Sequence, residues 1–371
     1  MNNLIKYLLN FFDPETAHKL AVSMLSRNHF ISYRTKNLYT RIANLEFKNP
    51  VGLAAGFDKS GQCFQGIFKL GFSSVEVGTV TPFPQEGNNK PRVFRLYKDR
   101  AVINSYGFNN DGMEIVKKRL IDGKRRDGVL GVNIGPNKES KNPIEDFKVT
   151  SSNLSNYCDY LAINISSPNT PYLRKFHDKD LLLEVIEATK EGMNQNSKYT
   201  PIFLKISPDE KYSQIDKIIE VALAKKIDAI IVSNTSIELP SDFLRKSKLV
   251  SGGLSGQPIF EKSTKLLDYI NNHSKGKIGL VGVGGIENAR QAYTKILVGA
   301  SLLQLYTGLL YQGPNIVKVI TNEIDQYLKR DGFKSILEAV GTLNYKEAIK
   351  LNSILWSLNI KRINILYILD D

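Results

Sequence analysis

At 371 residues, with 42% hydrophobic and 23% charged side chains, the chain can hold one large domain plus an appendage. That mix is not the composition of a disordered or fibrous protein. The net charge of +13 comes from scattered lysines without a helix-turn-helix, zinc-finger or RNA-binding signature, which argues against nucleic acid; an anionic membrane, an acidic small ligand and a plain soluble surface stay open. Cys63 and Cys158 are too few for a disulfide framework and read as packed, reduced thiols of a cytoplasm-facing protein. Four histidines without ligand spacing argue against a metal site.

Residues 1–42 form the first unit. Leu4, Ile5, Leu8, Leu9, Phe11 and Phe12 cluster before Asp13-Pro14, and Ala17, Leu20, Ala21, Met24 and Leu25 then recur at helical spacing. Two short amphipathic helices are predicted, the second capped by Asp13 with Pro14 at its first position. Lys6 and Asn10 interrupt the first, and a membrane span needs about 20 mostly apolar residues. The basic residues Lys6, Lys19, Arg27, Arg34, Lys36 and Arg41 outnumber the acids Asp13 and Glu15. Such helices either lie in a membrane interface or cap the following domain.

From residue 43 to about 342, eight apolar runs predict strands: Val51–Ala55, Ser74–Val77, Val129–Ile134, Tyr160–Ile165, Pro201–Ile206, Ala229–Val232, Ile278–Val283 and Ser301–Leu305. Helical spacing fills stretches between them, as in Asp180–Gly192, Ser213–Lys225, Lys262–Asn272 and Ala289–Val298. Eight strand–helix units predict an α/β fold, a closed (β/α)8 TIM barrel, which needs about 250 residues. Two long connections, Val80 to Asp127 and Ser233 to Gly276, leave the C-terminal ends of strands, where such barrels build their sites, and are expected to be lids or site walls. Gly252-Gly253-Leu254-Ser255-Gly256 reads as a flexible loop within the second. Residues 343–371, with Trp356, suggest a terminal helix to which no chemistry is assigned.

Polar residues fall at the ends of the apolar runs, where an unpartnered polar group is costly. Lys205 interrupts Phe203-Leu204-Lys205-Ile206; facing inward it would stabilise negative charge on a reduced ring or form a Schiff base, and facing outward it would snorkel past a helix. Asn164-Ile165-Ser166-Ser167-Pro168-Asn169-Thr170 ends another strand in amides and hydroxyls, which suit the alternating donors and acceptors of an imide ring. Asn104, Asn133 and Asn234 lie at or beyond strand ends too. Gly282-Val283-Gly284-Gly285-Ile286 and Tyr306-Thr307-Gly308 follow the last two strands, the usual phosphate site of such a barrel. Glu287 stands where a dinucleotide fingerprint would need its third glycine. Lys59, just past the first strand, would meet an anionic carboxylate or lie on a surface loop.

The ordered segments AAGFDKSG, VEVGTVTPFPQEGN, KPRVFRL, NSYGFNN, NIGPNK, NISSPNTPYLR, FLKISPD, VSNTS, GGLSGQP, GVGGI and QLYTG resemble the dihydroorotate dehydrogenase family over about residues 43–342. The opening LLNFFDPETAHKLAV resembles its membrane-associated, quinone-linked class. The resemblance implies oxidation of dihydroorotate to orotate with FMN, and a quinone as final acceptor, by a peripheral protein on the cytoplasmic side of the cell membrane, expected to be a monomer. It assigns FMN to Ala55, Gly56, Phe57, Asp58, Lys59, Thr79, Asn133, Asn164, Lys205, Ser233, Gly256, Gly285, Tyr306 and Thr307. It assigns the substrate to Lys59, Asn104, Ser105, Tyr106, Gly107, Phe108, Asn164, Asn169, Asn234 and Thr235, and the catalytic base to Ser167, where soluble classes carry cysteine. Ser105 stands in place of a frequent arginine and Ser233 in place of a common threonine, and the tail after about 343 does not match. Competing expectations are a flavin barrel for another heterocycle, a Schiff-base aldolase using Lys205, and an inert membrane-binding homologue.

Overall fold

A computed structural model describes residues 11–27, 32–123, 127–167, 173–194, 198–238 and 252–352. In chain order the strands are β1 (Thr40–Ile42), β2 (Leu45–Phe47), β3 (Val51–Leu53), β4 (Ser74–Val80), β5 (Val93–Leu96), β6 (Ala101–Asn104) and β7 (Val129–Ile134). They continue with β8 (Tyr160–Asn164), β9 (Ile202–Ile206), β10 (Ala229–Val232), β11 (Gly253–Gly256), β12 (Gly279–Val283) and β13 (Leu302–Leu305). Eight of them close a parallel barrel in the order β3-β4-β7-β8-β9-β10-β12-β13 and back to β3. Each lies on one of the eight apolar runs. Their near-continuous hydrophobicity follows from burial on both faces, with helices outside and packed side chains within.

The lower interior is apolar. Tyr160 and Phe203 stack at 4.2 Å between ring centroids, among Ala162, Ala229, Ile231 and Val281. Gly131 makes room for this, because a Cβ there would fall inside the Tyr160 ring. The antiparallel hairpin β1-β2 closes that end by adding Ile42 and Phe47 to the same cluster. Side chains alternate along a strand, so the face of β9 that sends Phe203 into this layer sends Lys205 inward one layer higher.

The two long connections meet over the C-terminal end. β5, β6 and β11 form a three-stranded antiparallel sheet in which Asn104 faces Gly253 and Ala101 faces Gly256. The glycine-rich segment read as a flexible loop is therefore a strand. Its order comes from pairing with β6 rather than from β-propensity, which glycine lacks.

The helix Pro14–Ser26 lies beside this sheet. Asp13 caps it, its carboxylate accepting from the amides of Glu15 and Thr16 at 3.1 Å, and Pro14 opens it as expected. Glu15 makes a two-pronged ion pair with Arg92, at 2.7 and 3.1 Å, largely removed from water. The helix expected before Asp13 begins in residues outside the described set. Residues 345–352 are helical, and Trp356 with the remaining tail lies outside that set. Among the described residues no helix is long and apolar enough to cross a membrane. Cys63 and Cys158 are buried and unbonded to one another.

Candidate functional site

A cavity of about 340 Å³ opens at the C-terminal end of the barrel, beneath the three-stranded sheet. Its floor is a buried polar network that begins at Glu76 on β4, which is fully shielded from solvent. The Glu76 carboxylate accepts from Asn133 Nδ2 at 2.8 Å, Gln304 Nε2 at 2.7 Å and the Tyr160 hydroxyl at 3.0 Å, and lies 3.6 Å from Lys205 Nζ. Lys205 thus faces inward, and its ion pair sets a positive group against the cavity floor. A charge this deep persists only when paired and hydrogen-bonded.

The network continues upward through amides. Asn133 Oδ1 accepts from the Thr79 hydroxyl at 2.6 Å and from Asn164 Nδ2 at 3.1 Å. Asn164 Oδ1 accepts from Ser166 Oγ at 3.2 Å and Asn234 Nδ2 at 3.3 Å, and Asn234 also donates to Ser166 Oγ at 3.0 Å. Residues from β4, β7, β8 and the loop after β10 are therefore held in one register. Ser167 lines the cavity beside them and is buried.

At one wall, Gly284, Gly285, Tyr306, Thr307 and Gly308 face the cavity. Gly284 and Gly285 have φ of +99° and +76°, which only glycine adopts readily. The helix Thr307–Gln312 begins here, and its first N–H groups have no partner within the helix. Arg100 faces the same space. Its Nε holds Glu287 at 2.6 Å, while its buried Nη2 has no acceptor among the described residues. Glycine amides and an unspent guanidinium nitrogen suit a phosphate, and the amide-and-lysine floor suits a ring bearing imide groups, so the donor set fits FMN.

At the opposite wall, Lys59 donates to the Gly56 carbonyl at 2.7 Å and sits 4.1 Å above the Tyr106 ring. Removal from water lowers its pKa to about 8, with Glu15 opposing and Arg92 adding to the shift. Lys59 Nζ is 3.4 Å from His18 Nε2, and His18 packs edge-on against Phe57 at 5.1 Å. Removal from water, and then the charge of Lys59, hold the His18 imidazole well below the ordinary histidine range. Pro14, Ala17, His18, Ala21, Met24 and Leu25 line the cavity from the N-terminal helix, so the cavity extends outward between that helix and the barrel.

Most residues singled out in the sequence converge here. Ala55, Gly56, Phe57, Lys59, Thr79, Asn104, Tyr106, Gly107, Phe108, Asn164, Ser167, Lys205, Ser233, Asn234, Thr235, Gly256, Gly285, Tyr306 and Thr307 line the cavity. Asn133 sits just beneath them, in the floor network. Asp58 does not line it: its carboxylate accepts from the amides of Gln62 and Cys63, ahead of the helix Phe64–Lys69. Ser105 does not line it either, and its amide donates to the Arg92 carbonyl at 2.9 Å. Asn169 lies outside the described residues. Sequence reasoning missed Glu76, Arg92, Arg100 and His18. A glutamate within an apolar strand was the one signal that marked Glu76.

The comparisons agree with this geometry. The family model described as dihydroorotate dehydrogenase matches residues 37–328. A dihydroorotate dehydrogenase (quinone) of Bartonella henselae is 43% identical over 88% of this chain and 92% of its own length. The mitochondrial dihydroorotate dehydrogenase (quinone) of Arabidopsis thaliana is 42% identical over 91% of this chain and 81% of its own. The crystal structure of the Eimeria tenella enzyme in complex with ferulenol superposes with a TM-score of 0.85 at 36% identity, covering 89% of this chain and 95% of that one. A matching barrel, a polar cavity at its C-terminal mouth and agreement along most of the sequence have one explanation: this chain belongs to the dihydroorotate dehydrogenase family.

Proposed function

We propose that this protein oxidises dihydroorotate to orotate in pyrimidine biosynthesis, with FMN as hydride acceptor and a membrane quinone as final electron acceptor. The observation that carries the reading is the floor network, an imide-matching set of amides above the buried Glu76–Lys205 pair, at the inner end of an apolar channel. Bound in this cavity, FMN would supply hydride-acceptor chemistry toward the substrate and electron-transfer chemistry toward the quinone. Its ring would lie against Ala55, Gly56, Thr79, Asn133, Asn164, Lys205 and Ser233, and its phosphate against Gly256, Gly285, Tyr306 and Thr307.

The chain's own part is to bind, orient and deprotonate. Lys59 meets the substrate carboxylate. Asn104, Tyr106, Gly107, Phe108, Asn164, Asn169, Asn234 and Thr235 surround the heterocycle. Ser167 removes the C5 proton, and membership of the family leaves no role for Lys205 as a Schiff base. The quinone enters along the N-terminal helix toward His18 and Tyr306, whose side chains lie 3.5 Å apart. Exposed Phe11, Phe12 and Leu20 beside exposed Lys19 and Arg27 suit a peripheral seat on the anionic cytoplasmic face of the cell membrane. We take the unit as residues 1–42 for that segment and 43–342 for the barrel, acting as a monomer without nucleic acid.

The test is the visible spectrum of the anaerobic protein. Dihydroorotate bleaches the flavin band and a quinone analogue restores it; a colourless protein, or a yellow one indifferent to dihydroorotate, overturns the reading. The channel is tested separately by Ala21→Trp. Overfilling it slows quinone-dependent turnover by about tenfold or more, while bleaching by dihydroorotate keeps its rate.

Lys59 gives a pH dependence. The free enzyme holds it charged below about 8 and loses that charge as the pH rises. Orotate affinity is then flat below pH 7 and falls by about tenfold per unit well above 8. Orotate titrations followed by flavin absorbance between pH 6 and 9.5 check this, and Lys59→Met abolishes the slope.

A further inference from the structure

Lys295 has no place in this chemistry, yet it is completely buried on the helix Ala289–Leu297. Among the described residues it makes no ion pair. Its Nζ lies 2.8 Å from Ser263 Oγ and 2.9 Å from Thr264 Oγ1, and 5.3 Å over the Phe260 ring. Removal from water alone drives its pKa far below that of an ordinary lysine. A lysine without a carboxylate is an expensive way to fill a core, and leucine or methionine would pack there at lower cost.

The hydrogen-bond directions say what the group does. The Thr264 hydroxyl donates to the Phe260 carbonyl at 2.6 Å. The Ser263 hydroxyl has two carbonyls within 3.2 Å, those of Phe260 and Gly284. Carbonyl oxygens only accept, so both hydroxyl protons are committed and Nζ must donate to both oxygens, whether charged or neutral. The two carbonyls are equally distant from Ser263 Oγ, and we assign its proton to Gly284 because the Phe260 carbonyl already accepts from Thr264. The line Lys295–Ser263–Gly284 therefore ends on the loop that faces the cavity. That loop is pressed tightly on the same element: an added Cβ at Gly284 would stand 2.9 Å from Ser263 Oγ, and one at Gly285 would run into Phe260.

We propose that Lys295 is a positioning residue of the cofactor's phosphate site, fixing the Gly284–Gly285 loop from behind through Ser263. This rests on the FMN reading given above. Lys295 touches neither cofactor nor substrate; it sets where the loop amides stand. Its loss therefore weakens a ligand that carries the phosphate and spares one that lacks it.

The experiment uses the holoenzyme. Protein with bound flavin is equilibrated with mixtures of FMN and riboflavin, and the bound ratio is read by chromatography after rapid separation. The wild type holds FMN in strong preference. Lys295→Met and Ser263→Ala each cut that preference by about tenfold, the worth of one well-placed hydrogen bond, and the double variant loses no more than either alone. Thr264→Val leaves the preference within about twofold. An unchanged FMN-to-riboflavin ratio in Ser263→Ala overturns the proposal even if Lys295→Met does not fold, as does additive loss in the double variant. A wild type that binds no flavin refutes the cofactor reading itself, whereas a wild type that prefers FMN beside indifferent variants refutes only the role of Lys295.

Discussion

Replacing Ser167 by alanine abolishes most dihydroorotate oxidation, while flavin content and orotate affinity stay within about threefold of wild type. The buried hydroxyl lies against the cavity, next to a network that already fixes Asn164, Ser166 and Asn234. Removing one oxygen atom takes away the group we propose as acceptor of the C5 proton and leaves the surrounding network in place. Loss of a positioned base costs about a hundred- to ten-thousandfold in rate. Anaerobic stopped-flow bleaching of the flavin measures that step without any contribution from the quinone. A rate within threefold of wild type removes Ser167 from the mechanism. Equal loss of orotate affinity assigns it to binding instead.

Glu76→Ala produces the second large effect, and it is on stability. The carboxylate has four partners: Asn133, Gln304, Tyr160 and Lys205. Deleting it leaves a buried lysine without its carboxylate and several unspent donors beneath the cavity floor. Breaking a buried pair from one side costs about 3–5 kcal/mol, a large share of a typical domain's stability. Glu76→Gln keeps the shape and two acceptor lone pairs and costs less. Urea denaturation followed by tryptophan-independent far-ultraviolet circular dichroism separates the two. Equal midpoints for wild type and Glu76→Ala would mean that the network is not a structural keystone.

The barrel was legible because its strands are short, apolar and evenly spaced, and a strand buried on both faces cannot hide that pattern. The amide-rich mouth was legible for the opposite reason: Asn133, Asn164 and Lys205 are polar where the pattern demands apolar residues. What stayed hidden depends on partners distant in sequence. The strand Gly253–Gly256 has no β-propensity of its own and exists because Ala101–Asn104 pairs with it. Glu15 and Arg92 are 77 residues apart, and neither alone announces a buried pair. Lys295 reads as an ordinary surface lysine on an amphipathic helix until Ser263 and Thr264 are seen above it. His18 is likewise unremarkable until the helix is docked beside Phe57 and Tyr306.

The sheet over the barrel mouth has a consequence for how the chain is made. Asn104 must pair with Gly253, which lies 149 residues later, and four barrel strands are synthesised between them. A hairpin of Val93–Leu96 and Ala101–Asn104 leaving the ribosome has no third strand to accept its free edge, and an isolated hairpin is at best marginally stable. The N-terminal helix is made earlier still, yet its Glu15 anchors on Arg92 beside that same unfinished hairpin. That hairpin and the helix docked beside it thus wait for the last third of the polypeptide. Because that last third also carries Gly279–Val283 and Leu302–Leu305, without which the barrel cannot close, the roof and the mouth beneath it are completed together rather than in turn.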